Sequence, residues 1–96
     1  MTCLHVISRS PSKNLLESCS SLLRPSDAIL FIEDGIYYCT GENVERLAAM
    51  GFSIYALRED LIARGLIDQS THAAELIDYN GFVGLCCQYE KVVSWF

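Results

Sequence analysis

Ala28-Ile29-Leu30-Phe31-Ile32-Glu33-Asp34-Gly35-Ile36-Tyr37 decides how the chain is read. Five apolar residues in a row end abruptly in two carboxylates and a glycine. A strand buried on both faces reads as an unbroken apolar run, which is the habit of parallel sheets covered by helices. The pattern returns further on. Ile54-Tyr55-Ala56-Leu57 passes into a charged helical segment, Arg58-Glu59-Asp60-Leu61-Ile62-Ala63-Arg64, that stops at Gly65. Two such runs separated by helical pattern predict an α/β protein, a small single-domain three-layer sandwich over residues 1–96 with a mostly parallel sheet flanked by helices. Open sheets of this kind use the carboxyl ends of their strands for function. Asp34, Gly35 and the Leu57–Glu59 corner are expected there.

Working outward, Cys3–Ile7 reads as a first strand. Pro11 suits the first turn of a helix, where its missing N–H costs nothing. Leu15, Leu16, Cys19, Leu22 and Leu23 then follow the i, i+4, i+7, i+8 stripe of an amphipathic helix, and Arg24-Pro25-Ser26-Asp27 ends it. The second strand is expected over Ala28–Glu33. Asp34 is placed as the cap of a second helix beginning Ile36-Tyr37-Tyr38-Cys39. A further helical piece, Val44–Met50, closes at Gly51. Phe52–Leu57 is the third strand, Glu59–Arg64 a short helix, and Glu75–Asp78 a fourth strand. Asp78-Tyr79-Asn80-Gly81 turns into a last helix, Phe82–Tyr89. The tail Val92-Val93-Ser94-Trp95-Phe96 is a fifth strand or a packing clamp.

The 96 residues are 51% hydrophobic and 20% charged. That is greasy for a small domain with a high ratio of surface to volume, and it suggests apolar surface covered by other subunits. The formal net charge of −5 argues against a direct grip on nucleic acid, which needs a positive patch. No apolar stretch approaches the roughly 20 residues needed to span a bilayer. The chain opens on a strand rather than a signal peptide, so a cytoplasmic location is expected.

No phosphate-cradling glycine motif occurs, and no cofactor is expected. The five cysteines form no C-x-x-C, and neither His5 nor His72 has a partner at metal-ligand spacing, so no metal site is expected. His5 reads as a half-buried residue satisfied by hydrogen bonds, and His72 as solvated. Glu33 and Asp34 are neighbours at a strand end and point to opposite faces, so they do not converge as an acid/base pair. Cys3, Cys86 and Cys87 read as structural. Cys39 lies about one turn into a helix, where the dipole's pull on a thiol is diluted. Cys19 lies on a stripe of leucines; it is either a core thiol or a sulfur-carrying one.

The residues that carry the fold also carry a resemblance. The chain resembles the DsrH/TusB family of sulfur-relay proteins along nearly its whole length. Leu4-His5 with Ser10-Pro11 looks like that family's opening. Leu30–Tyr37 matches its second strand and turn; Tyr55-Ala56-Leu57, Asp60-Leu61 and Ala63-Arg64-Gly65 match its third strand and helix. Ile77-Asp78-Tyr79 with Phe82-Val83 matches the approach to the last helix, and Trp95 fits the terminal tryptophan. The resemblance implies a subunit of a cytoplasmic sulfurtransferase complex passing persulfide sulfur between cysteines, toward 2-thiouridine at the tRNA wobble position or in Dsr-type sulfur oxidation. It implies two related small α/β partners, DsrE/TusD-like and DsrF/TusC-like, in a heterohexamer, and a DsrC/TusE-like sulfur acceptor. The family's principal carrier cysteine lies near the end of the third strand of the larger subunit, and Ser53–Leu57 has none. Leu16-Glu17-Ser18-Cys19 looks like the cysteine-bearing helix of the Dsr-type small subunit, which makes Cys19 the candidate persulfide carrier and tilts the reading toward the Dsr branch. The alternative is a structural or regulatory interaction module with no sulfur chemistry of its own.

Overall fold

The computed structural model describes residues 2–11, 18, 21–24, 26–40, 42–69 and 73–95. Five parallel strands form one sheet: β1 (Cys3–Ile7), β2 (Ala28–Phe31), β3 (Ser53–Leu57), β4 (Glu75–Ile77) and β5 (Lys91–Trp95). Their order is β4-β3-β2-β1-β5. The helices whose bounds lie within the described residues are α1 (Glu42–Ala49), α2 (Arg58–Ala63) and α3 (Tyr79–Gln88), with 3-10 turns at Glu33–Thr40 and Ile67–Gln69.

The apolar run at Ala28 forms the central strand, buried at all four positions. Alternation divides its side chains between two cores. Ile29 and Phe31 join Ile7, Ile54 and Ala56 on one face, under Ile36, Tyr38, Val44, Leu47 and Leu61. Ala28 and Leu30 join Leu4 and Val6 on the other, under Leu85, Phe82 and Cys86 of α3. Helices thus cover both faces, as the apolar runs required. α3 links the two edges of the sheet. Four inter-strand steps of about 4.8 Å separate β4 from β5, and ten helical residues rise about 15 Å, so one helix and its flanking turns make the crossing.

Several boundaries move. β2 ends at Phe31, because Glu33 adopts a positive φ of 50° and breaks the extended chain. The segment after it is a 3-10 turn rather than an α-helix. α3 begins at Tyr79, since Asp78 caps it by accepting the Gly81 N–H at 2.8 Å; the expected turn is its first turn. The tail is both things expected of it: β5 pairs in parallel with β1, and its Trp95 packs on the core. Gly51 closes α1 with φ 94°. In the expected first helix, Ser18, Ser21 and Leu22 are helical; residues 12–17, 19 and 20 lie outside the described residues, as does His72.

Gly35 marks the tightest crossing. A Cβ there would collide with the Ile7 carbonyl oxygen, which already accepts the Ile32 N–H at 3.0 Å. Backbone cannot yield as a flexible side-chain tip can. Gly35→Ala should therefore destabilise the fold by at least about 1–3 kcal/mol, the usual cost of overpacking. Gly84, in the middle of α3 with open space around it, should gain roughly 0.5–1 kcal/mol on conversion to alanine. Urea unfolding midpoints of the two variants should move in opposite directions.

Candidate functional site

The carboxyl ends of β2 and β3 bring together Glu33, Asp34, Glu59, Asp60 and Arg64. Asp34 was expected to cap a helix. Instead its carboxylate accepts from Arg64 Nη2 at 3.1 Å and Nε at 3.2 Å, on the surface. The capping work is done from the exit of the neighbouring strand, by Asp60 of α2, whose Oδ2 accepts the Glu33 N–H at 2.6 Å. Glu59 accepts the Tyr79 N–H at 3.0 Å. Glu33 itself is exposed. These carboxylates stitch loops together, and the adjacent pair Glu33–Asp34 does not converge.

A second constellation lies toward the opposite ends of the strands. Asp27, directly before β2, is 4% exposed. Its Oδ1 accepts the Cys3 N–H at 3.0 Å and its Oδ2 the Arg24 N–H at 3.1 Å. The same Oδ2 lies 3.2 Å from His5 Nε2. On the other side of the ring, Trp95 Nε1–H donates to His5 Nδ1 at 3.2 Å. His5 is thus satisfied by hydrogen bonds as expected, but it is buried rather than half-buried. The cluster borders an open pocket of about 180 Å³ lined by Cys3, His5, Arg24, Asp27, Lys91 and Val93, with Leu22 beside them.

Donor atoms of Cys3, His5 and Asp27 all lie within 4.8 Å of one another, a set that a transition metal could accept. The hydrogen bonds work against it. An indole N–H only donates, so His5 Nδ1 must present a lone pair and the ring proton sits on Nε2. Metal binding through Nε2 would push that proton to Nδ1, against the Trp95 N–H. Arg24 and Lys91 on the pocket wall oppose a cation as well. Nor is Cys3 an activated nucleophile: burial raises its pKa, the Asp27 carboxylate raises it further, and Lys91 and Arg24 offset this only in part. Cys39 is fully buried, and burial pushes its thiol up to about 12. Cys86 is raised by burial and by its neighbour Cys87.

The chain matches the family described as DsrH like protein over residues 9–92. The chain belongs to the DsrH family. Its relatives include Protein TusB of Photorhabdus laumondii, 37% identical over 96% of this chain and 99% of that protein. Protein TusB of Escherichia coli K12 is 36% identical, and that of Buchnera aphidicola 31%, over the same shares. A protein of unknown function from Methanobacterium thermoautotrophicum has the same fold, with a TM-score of 0.67 and 16% identity over 98% of this chain and 97% of that one.

Within this DsrH-family fold, β3 ends at Leu57 without a cysteine, and Cys19 lies outside the described residues. Cys87 is exposed on α3. Asp27 and Trp95 were missed as partners of His5. The available signal was an aspartate set directly against a buried apolar run, where an unpaired carboxylate would be costly. No helix among the described residues is long and apolar enough to cross a membrane.

Two outcomes follow from this geometry. Asp60→Ala should cost about 0.5–2 kcal/mol, as loss of a cap does, whereas Asp34→Ala should stay within about 0.5 kcal/mol, because its ion pair is exposed; thermal melts rank them. For Cys39, the folded pKa is raised, so the unfolded chain ionises first. Stability is full below about pH 9 and falls toward about pH 12, by about 1.4 kcal/mol per unit from this group. Urea unfolding at about pH 8 and about pH 10.5 should show a decline that is shallower in Cys39→Ala.

Proposed function

We propose that this chain is a subunit of a sulfur-relay complex on the branch that leads to 2-thiouridine at the tRNA wobble position. The observation that carries the reading is likeness of 31–37% over 96% of the chain to proteins named TusB. This moves the branch away from the Dsr-type reading that the Cys19 segment favoured. Membership in a relay complex follows from the family. The finer arrangement is a heterohexamer with TusD/DsrE-like and TusC/DsrF-like subunits, handing sulfur to a TusE/DsrC-like acceptor.

The chain's own part is chiefly architectural. Cys3, Cys39 and Cys86 all have raised thiol pKa values, and the thiolate is the attacking species. Exposed apolar side chains suit a protein that is covered in use. Tyr79 and Val83, one turn apart on α3, are 57% and 64% exposed, and Val92 and Val93 on the edge strand β5 are exposed too. Cys19 is the accessory persulfide carrier. Its thiolate would attack the outer sulfur of a donor persulfide, form the new S–S bond, and release the donor's thiolate, with no net oxidation.

The assembled complex should be treated with a persulfide donor and its peptides mapped for the added mass of one sulfur, about 32 Da. Sulfur on Cys19 of this chain, lost in Cys19→Ser while the complex persists, supports the carrier role. Sulfur on Cys87, or on partner cysteines only, removes it. A chain that forms no complex when expressed with its relay partners would return the reading to an interaction module outside sulfur chemistry.

A further inference from the structure

We propose that His5 is a proton-sensitive clasp: neutral, it holds Trp95 and the carboxyl-terminal strand against β1, and on taking a second proton it releases the indole. The argument rests on counting protons. Trp95 Nε1–H points at His5 Nδ1 from 3.2 Å. Indole nitrogen cannot accept, so this contact exists only while Nδ1 is unprotonated. The neutral ring therefore carries its hydrogen on Nε2, toward Asp27 Oδ2 at 3.2 Å. A second proton has one place to go, Nδ1, where it would meet the Trp95 hydrogen head-on.

The surroundings decide which contact gives way. Asp27, in the turn before β2, faces the ring from the other side and is itself anchored by the Cys3 and Arg24 N–H groups. It attracts an imidazolium and keeps the ring where it is. Arg24 from that turn and Lys91 from β5 line the same pocket and oppose the charge. Cys3, on β1, is a neutral thiol with its pKa raised. Among the described residues, no carboxylate bonds or pairs with the ring at Nδ1 to compensate the lost bond. The indole contact is the one that breaks.

Trp95 matters because little else secures its end of β5. The strand's other four residues are exposed, and Trp95 alone of the five reaches the core. Beyond the ladder with β1, the Trp95 carbonyl is met by Ser8 N at 3.5 Å and Ser8 Oγ at 3.4 Å, the long limit for a hydrogen bond. β5 also supplies Lys91 and Val93 to the wall of the Cys3 pocket. Protonation of one buried ring thus loosens the end of an edge strand and that pocket wall together.

The chain tests this cleanly, because Trp95 is its single tryptophan and it has two histidines. His72→Asn leaves His5 as the sole imidazole. In that protein, acidification from about pH 8 to about pH 5 should shift the Trp95 indole N–H resonance and its fluorescence emission, with one midpoint shared by the His5 ring nitrogens followed by NMR. Far-UV circular dichroism should stay constant over the same range. At high pH the nitrogen shifts should show the hydrogen on Nε2. His5→Gln should lose the indole transition. Should that variant fail to fold, His5→Asn serves, and it too should lose the indole transition. A ring that titrates while Trp95 stays unmoved, an indole transition that persists in His5→Gln, or a neutral ring with its hydrogen on Nδ1 would each overturn the clasp.

Discussion

A buried carboxylate, Asp27, sets where the first two strands begin. Sealed from water, a carboxylate is costly unless its oxygens find donors. Asp27 finds them in the Cys3 N–H, the Arg24 N–H and the His5 ring. The donors belong to β1 and to the turn that delivers the chain to β2. Satisfying one side chain therefore brings the start of β1 to the start of β2, and the ladder that pairs Leu4 with Ala28 and Ile7 with Phe31 follows from that alignment. β3 adds to β2 and β5 to β1, so the sheet inherits its origin from this point.

The far end of the strands is organised by the same chemistry on the surface. Asp60 and Glu59, in the first turn of α2, accept backbone N–H groups from Glu33 and Tyr79, so one short helix holds the exit of β2 and the entry of α3. These contacts occupy the carboxyl edge where an open parallel sheet ordinarily offers a site. The Cys39 and Cys3 thiols are held back by a different means, since burial raises the pKa of each. Both features agree with the chiefly architectural part proposed for this chain.

What the sequence made legible was whatever repeats locally. Apolar runs marked β1, β2 and β3, and a glycine after a helical pattern marked the end of α1. β5 was half-legible, because Val92-Val93-Ser94-Trp95 fits a strand and a packing tail equally, and it is both. The choice between 3-10 and α-helix at Glu33–Thr40 was not legible. It turns on the left-handed Glu33 and the close pass of Gly35 over Ile7, which no short-range pattern encodes. The caps show the same divide. Asp78 caps the helix next to it, whereas the group that serves Glu33 comes from Asp60, distant in the chain, and local reasoning assigned the work to Asp34. Asp27, His5 and Trp95 lay in three separate stretches, each with an adequate reading of its own. Cys19 stood out through family resemblance, its local pattern being that of any core-facing helix residue.

The strand order carries a consequence for how the chain is made. β1 is synthesised first, yet its outer neighbour is β5, made last of the five strands. During translation β1 can pair with β2 soon after both emerge, but its other edge stays open until β5 has left the ribosome. The Trp95–His5 contact, with a sequence separation of 90, is among the most expensive loops to close by chain entropy. An unpaired strand edge invites association with other chains. The nascent chain thus exposes an adhesive margin from the time β1 emerges, and covers it only when β5 docks.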